Sequence, residues 1–135
     1  MAETEKKTTK PAKAGKKAAA PAGPTARLSY LRIAPRKVRL VANNVRGLPV
    51  GDALAMLKFT PNAAAKPLAK LLRSAVANAE TKGGSVDVDR LVVKTLTVDG
   101  GPKLRRFMPR AMGRAYRVEK RTSHVFVELS TGARA

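Results

Sequence analysis

Basic and apolar side chains are interleaved over residues 103–124, which read KLRRFMPRAMGRAYRVEKRTSH. Eight lysines and arginines stand against a single glutamate in this segment. Lysine and arginine bind phosphates, and the planar guanidinium of arginine also stacks on bases. Phe107, Met108 and Tyr116 can pack on unstacked bases or riboses, which the loops of a folded RNA present. The segment is therefore predicted to bind folded RNA.

The predicted RNA contacts come from this segment and from an outward helix face near residue 36. The candidates are Arg36, Lys37, Arg39, Lys103, Arg105, Arg106, Phe107, Arg110, Arg114, Tyr116, Arg117, Lys120, Arg121 and His124. Pro109 and Gly113 are turn residues, so the segment is predicted to fold back on itself near Arg110 and Ala111. A two-stranded ribbon without a third strand is marginal in water, so RNA is expected to order it.

The whole chain is strongly cationic and lacks the side chains of most catalytic sites. Its 135 residues include 28 Lys and Arg against 9 Asp and Glu, for a net charge of +19. Such a charge favours a polyanionic partner. There is no cysteine, which excludes disulfides and thiolate metal sites, and His124 is the only histidine. We therefore predict no catalytic residue, no metal and no cofactor. No apolar run approaches the roughly 20 residues of a membrane span, so no membrane partner is expected.

The chain divides into a tail and one domain. Residues 1–25 are rich in Lys, Ala, Pro and Thr, which is typical of a disordered basic tail. Residues 26–135 are predicted to form a single domain. Its first strand is RLSYLRI, residues 27–33, where alternation places Leu28 and Tyr30 on one face and Leu31 on the other.

Three helices are predicted to follow the first strand. The first runs from Pro35 to about Gly47, and Ala34 gives its start no side-chain cap. The second covers about residues 51–59. The third covers about residues 61–82, and Pro67 within it predicts a kink or a late start near Lys66. Apolar residues recur at helical spacing in the third helix, namely Leu68, Leu71, Leu72, Ala75, Val76 and Ala79.

Two further strands are predicted on either side of the basic segment, LVVKTLTVD at residues 91–99 and TSHVFVEL at residues 122–129. They should pair antiparallel, with Val98 near Ser123, and the first strand should complete the sheet. The predicted fold class is α+β. It comprises a small three-stranded antiparallel sheet packed against three helices, a long protruding β-hairpin over about residues 99–122, and a disordered basic N-terminal tail.

Two other functions fit parts of the pattern. An architectural DNA-binding protein can insert a proline-tipped β-ribbon arm into the minor groove, and such a protein is expected to be a symmetric dimer. A cationic membrane-surface peptide requires an amphipathic basic helix, whereas Pro109 and Gly113 interrupt the basic segment here.

Three stretches of the sequence resemble the bacterial-type family of large-subunit ribosomal protein number twenty-two. FMPRAMGRAYRVEKRTSH followed by VFVEL is similar to the C-terminal signature of that family. APRKVRLVANNVRG resembles its first helix, and ALAMLKFTPNAAAKPLAKLLRSAVANAE resembles its second and third helices. The resemblance covers roughly residues 26–129.

The resemblance implies a structural, non-enzymatic constituent of the large ribosomal subunit in the cytoplasm. It implies a globular part near the opening of the polypeptide exit tunnel, a hairpin threaded through 23S-type ribosomal RNA, and a role in early subunit assembly. The implied partners are that RNA, neighbouring large-subunit proteins and the nascent polypeptide, and no homo-oligomer is implied. The implied tip in the tunnel wall consists of Met108, Pro109, Arg110, Ala111, Met112, Gly113 and Arg114.

Overall fold

The fold consists of a three-stranded antiparallel sheet and three helices, and the computed structural model describes residues 23–83 and 87–131. The elements are β1 (Thr25–Leu31), α1 (Pro35–Val45), α2 (Val50–Phe59), α3 (Ala65–Gly83), a 3₁₀ turn (Val88–Arg90), β2 (Leu91–Pro109) and β3 (Ala115–Thr131). The strand order is β1-β3-β2. The predicted α+β class is confirmed. The predicted tail lies outside the described residues as far as residue 22, and β1 already begins at Thr25.

The helices begin and end for local reasons. α1 begins at Pro35, whose fixed φ suits a first helical turn, and Ala34 forms no side-chain cap, as predicted. Just past its end, Gly47 has a φ of 78°, which favours glycine. α3 begins at Ala65, so Pro67 stands in the first turn, where backbone N–H groups have no helical partner to lose. The late start predicted near Lys66 is confirmed.

One apolar core joins the helices to the sheet. The predicted stripe of α3 is buried at Leu68, Leu71, Leu72, Ala75 and Ala79, and partly buried at Val76. These residues share the core with Val38, Val41 and Val45 of α1 and with Val93, Val125, Val127 and Leu129 of the sheet. Burial of each large aliphatic side chain contributes about 1.5–3 kcal/mol, so this core accounts for the stability of the globular part.

β1 does not alternate as predicted. Leu28 and Leu31 both pack against the core, because the pairing with β3 shifts register between these two residues. Tyr30, within this irregularity, has a φ of 58° and an exposed side chain. A bulge adds one residue to a strand and so changes the face that later side chains occupy. The predicted faces of β1 are therefore wrong.

Arginines of α1 and the turn after it cover the outer edge of β2. Arg39 donates to the carbonyl oxygen of Val98 through Nε at 3.1 Å and Nη2 at 2.9 Å. Arg46 donates through Nε to the carbonyl oxygen of Leu96 at 2.8 Å. Unpaired carbonyl groups on an edge strand can pair with a strand of another chain. These two arginines therefore attach α1 to the sheet and also protect the edge of β2.

β2 and β3 continue beyond the sheet as a two-stranded hairpin, defined here as residues 103–121. Val98 pairs with Val125, two residues from the predicted partner Ser123, and a bulge lies between Gly100 and Lys103. β1 pairs with β3 only as far as Ser123, so the hairpin has no third strand. The seven register pairs from Lys103–Arg121 to Pro109–Ala115 extend over roughly 23 Å.

Candidate nucleic-acid interface

The register divides the hairpin side chains between two faces, because residues directly opposite each other in an antiparallel pair point to the same side. The charged face consists of Lys103, Arg105, Phe107, Arg117, Glu119 and Arg121. The mixed face consists of Leu104, Arg106, Met108, Tyr116, Val118 and Lys120. Every predicted RNA contact in the two arms therefore lies on one of two defined surfaces.

A single carboxylate organises the base of the charged face. Glu119 Oε2 lies 3.2 Å from Lys103 Nζ and 3.8 Å from Arg121 Nη2. The hydrogen bond and charge of Lys103, followed by the charges of Arg121 and Arg105, lower the pKa of Glu119. Glu119 is therefore ionised at neutral pH and reduces the mutual repulsion of these cations.

Further out, the charged face carries an aromatic side chain among cations. Phe107 is 77% exposed and lies opposite Arg117. An aromatic ring exposed to that degree on a charged surface is available to a base or a ribose, while Arg105 and Arg117 are available to phosphates.

The mixed face presents an apolar strip next to cations. Met108 and Tyr116 lie opposite each other and are 45% and 55% exposed. Opposed side chains cover part of each other's surface, yet about half of each remains open. Arg106 and Lys120 lie on the same face, between this strip and the sheet. The surface therefore suits riboses and bases between phosphates.

The loop Arg110–Arg114 forms the tip. The Arg110 N–H donates to the Arg114 carbonyl oxygen at 2.8 Å. Met112 and Gly113 have φ values of 60° and 66°, in the left-handed region, and Met112 is 90% exposed. The turn predicted near Arg110 and Ala111 therefore lies in this loop, with its left-handed residues further along at Met112 and Gly113.

The cations of α1 lie on its exposed side, as predicted. Arg36, Lys37 and Arg39 are all exposed, and Arg39 is one turn along the helix from Arg36. The bond from Arg39 to Val98 places this side of α1 beside the part of β2 that leads into the hairpin. Arg39 thus has a role within the fold, and its remaining N–H groups are the ones available to a partner.

His124 is a hydrogen-bonded sheet residue at the base of the hairpin. Its Nδ1 accepts a hydrogen bond from the Tyr30 backbone N–H at 3.1 Å. The two rings meet edge-on, with centroids 4.8 Å apart. His124 is predicted from the sequence as a candidate, but Tyr30 is not, because strict alternation places Tyr30 on the same face as Leu28 and gives no signal of a left-handed tyrosine.

The described residues offer little to other kinds of site. Within residues 23–83 and 87–131, no three His, Asp or Glu side chains come together as a metal ion would require. No helix in the same part of the chain combines the length and apolar character of a membrane span. The exposed cations and aromatic rings of the hairpin remain the candidate interface.

Comparison with known proteins decides the family. The family model described as Ribosomal protein L22p/L17e matches residues 26–130. The chain belongs to this family. It is 79% identical over 117 residues to large ribosomal subunit protein uL22 of Anaeromyxobacter sp. (strain K), covering 86% of this chain and 80% of the relative. It is 59% identical over 106 residues to the protein of the same name from Geobacter sulfurreducens, covering 78% of this chain and 95% of the relative.

Membership of the L22 family confirms the resemblance seen in the sequence. The family consists of structural ribosomal proteins, so the prediction of a non-enzymatic ribosomal protein is also confirmed. The matched residues include all three helices, the sheet to residue 130 and the whole hairpin. The alternative of an architectural DNA-binding protein is therefore set aside.

Proposed function

We propose that this L22-family chain is a structural constituent of the large ribosomal subunit in the cytoplasm and that its hairpin binds 23S-type ribosomal RNA. The observation that carries the proposal is a two-stranded hairpin with eight Lys or Arg, one Glu and almost no buried side chain. Repulsion among these cations disfavours the isolated hairpin, whereas phosphates stabilise it. The RNA would thus supply the contacts that a third strand or a core would otherwise give the hairpin.

The two faces suggest a division of work. On the charged face, Arg105, Arg117 and Arg121 would bind phosphates, and Glu119 would hold Lys103 and Arg121 in position. On the mixed face, Met108 and Tyr116 would pack on riboses or unstacked bases. RNA that contacts both faces must approach the hairpin from two sides, which fits an RNA whose separate domains the hairpin joins. This arrangement supports a role in early subunit assembly alongside neighbouring large-subunit proteins.

The tip, residues 108–114, is proposed to form part of the wall of the polypeptide exit tunnel and to contact the nascent polypeptide. Its support is the position of Met112, which is 90% exposed at the end of the hairpin furthest from the core. Arg110 and Arg114 close the loop on either side and would hold it against RNA. The globular part would then remain near the tunnel opening.

The RNA-binding proposal is tested by the salt dependence of binding between the full chain and a 23S-type ribosomal RNA transcript. The logarithm of the affinity should fall linearly with the logarithm of the salt concentration, by about 0.7–0.9 for each phosphate contact. Arg117→Gln should reduce that slope by about one contact. Lys58→Gln, the same charge change on α2, should leave it unaltered. A flat salt dependence, or equal effects of the two variants, would contradict the proposal.

The tunnel proposal is tested in intact large subunits. A photoreactive amino acid at position 112 should crosslink to a nascent peptide on stalled ribosomes, whereas the same group at position 40, on the exposed side of α1, should not. A nascent chain captured equally at both positions, or at neither, would count against a tip in the tunnel wall.

The assembly role is tested by reconstitution of large subunits. Leaving out the chain should halt assembly at an early particle, and normal assembly without it would exclude the assembly role.

A further inference from the structure

Tyr30 is an exposed aromatic residue in a backbone conformation that bulky residues rarely adopt. Its φ is 58°, and its side chain is 68% exposed. Packing in the core does not account for this conformation, since the ring is outside the core. Residues held in such conformations cluster at functional sites, where the surrounding structure keeps them in place.

Contacts from β3 hold Tyr30 in this position. His124 Nδ1 accepts the Tyr30 backbone N–H at 3.1 Å, and the two rings are inclined at 78° with centroids 4.8 Å apart. Ser123 Oγ donates to the carbonyl oxygen of Ile33 at 2.5 Å, which fixes the chain just after Tyr30. An edge-on neighbour occupies only part of the ring surface. A large part of the ring is therefore rigidly placed and open to solvent.

The surroundings of Tyr30 favour a nucleic-acid ligand. Arg27 and Arg32 flank it in the chain, and both are exposed. His124, which contacts Tyr30, also lines a pocket of about 260 Å³. The other residues that line this pocket are Arg27, Thr97, Asp99, Val125 and Phe126. Except for Val125, these side chains alternate with core positions and so lie on the sheet face opposite the core. The hairpin leaves the sheet at the same level, since His124 pairs with Asp99, next to the bulge.

We propose that the Tyr30 ring is a stacking platform for one unstacked base of the ribosomal RNA, with His124 as a positioning residue that fixes the ring. The inference rests on the proposed RNA binding and adds to it a site in the globular part, at the hairpin base. Proteins bind splayed-out bases by stacking them on aromatic side chains. Arg27 and Arg32, which are exposed on either side of Tyr30 in the chain, would bind phosphates of the same RNA segment.

Two substitutions at position 30 separate the ring from the backbone. Asparagine tolerates the left-handed conformation, so Tyr30→Asn removes the ring without adding strain, and Tyr30→Phe keeps the ring. Tyr30→Asn in the full chain should bind the 23S-type transcript about 5- to 150-fold more weakly. Its salt slope should match that of the unaltered protein, because stacking releases no counterions. Tyr30→Phe should bind as the unaltered protein does.

Several results would overturn the platform. They are unchanged affinity of Tyr30→Asn, an equal loss in Tyr30→Phe, or a salt slope lowered as in Arg117→Gln. If thermal unfolding shows that Tyr30→Asn is not folded, Tyr30→Gly, which also accepts this φ, serves in its place. Ultraviolet crosslinking in intact large subunits should join position 30 to ribosomal RNA, and a crosslink to protein alone would also overturn it. If RNA affinity falls with salt as expected but Tyr30→Asn leaves that affinity unchanged, the platform alone is refuted. If RNA affinity does not depend on salt, RNA binding by the hairpin is refuted.

Discussion

Adding one methyl group at Gly101 tests how the hairpin is joined to the sheet. Gly101 lies in the bulge of β2 at the hairpin base. A Cβ at this position would overlap the Thr122 hydroxyl and lie 3.0 Å from His124 Nε2. That hydroxyl donates to the Pro102 carbonyl oxygen at 2.7 Å, and Thr122 is only 6% exposed. Gly101→Ala therefore forces a buried, hydrogen-bonded group to move.

The cost follows from what the Thr122 side chain loses. A broken hydrogen bond costs about 0.5–1.5 kcal/mol, and a methyl group forced into a packed site costs about 1–3 kcal/mol. Since rotation of the Thr122 side chain about χ1 would relieve the overlap and break the hydrogen bond together, the two effects overlap, and the free energy of unfolding should fall by about 2 kcal/mol. The neighbouring Gly100 is a matched control, because a Cβ there has no other atom within 4 Å. Gly100→Ala should change stability by less than about 0.5 kcal/mol.

Urea unfolding of the two purified variants, followed by circular dichroism, measures this difference. The midpoint urea concentration of Gly101→Ala should fall while the slope m stays unchanged, because the folded and unfolded states keep their surface areas. Thermal unfolding should show a midpoint lower by roughly 8 °C. If both variants are equally stable, the bulge does not depend on close packing between Gly101 and Thr122.

Three other changes test separate parts of the molecule. Leu72→Ala should lower the free energy of unfolding by about 2–5 kcal/mol, and Leu40→Ala, at a 64% exposed position, by less than about 0.5; similar urea midpoints would contradict the core assignment. Deletion of residues 108–114 should leave the thermal unfolding of the globular part unchanged, and an unfolded product would make the tip structural. Because Lys103 lowers the pKa of Glu119, their contact should stabilise the hairpin at neutral pH and cease to do so as the pH falls through that lowered pKa. Carboxyl NMR should place the Glu119 midpoint below that of an ordinary glutamate, Lys103→Gln should raise it, and an ordinary midpoint in the unaltered chain would disprove the contact.

The helices could be predicted from the sequence because their signals are local. Leu68, Leu72 and Ala75 recur at the helical period, and Pro35 and Gly47 mark the ends of α1. Such features depend on residues within one or two turns of each other. At the start of α3, Pro67 is compatible in sequence with either a kink or a late start, and the backbone has the late start.

The strand faces could not be predicted in the same way, because each bulge reverses the alternation. The register shift between Leu28 and Leu31 places both on the core side. In β2 the shift between Val93 and Thr95 likewise places Val93 and Leu96, three residues apart, on the core side. A bulge depends on the partner strand as much as on its own sequence. The exposure of Tyr30 was therefore not foreseen, although the strand itself was.

The residue types of the candidate interface could be predicted, but their arrangement could not. The sequence shows that Arg105, Met108 and Tyr116 belong to one basic segment, yet only the register shows that Met108 and Tyr116 face each other while Arg105 lies on the opposite face. A free hairpin with cations on both faces has no burial to select one register over another. The bulge at Gly101 and the contact of Glu119 with Lys103 supply that selection at the hairpin base. The strands of the hairpin are then already paired in one register when RNA binds, so the proposed RNA binding does not have to select that register.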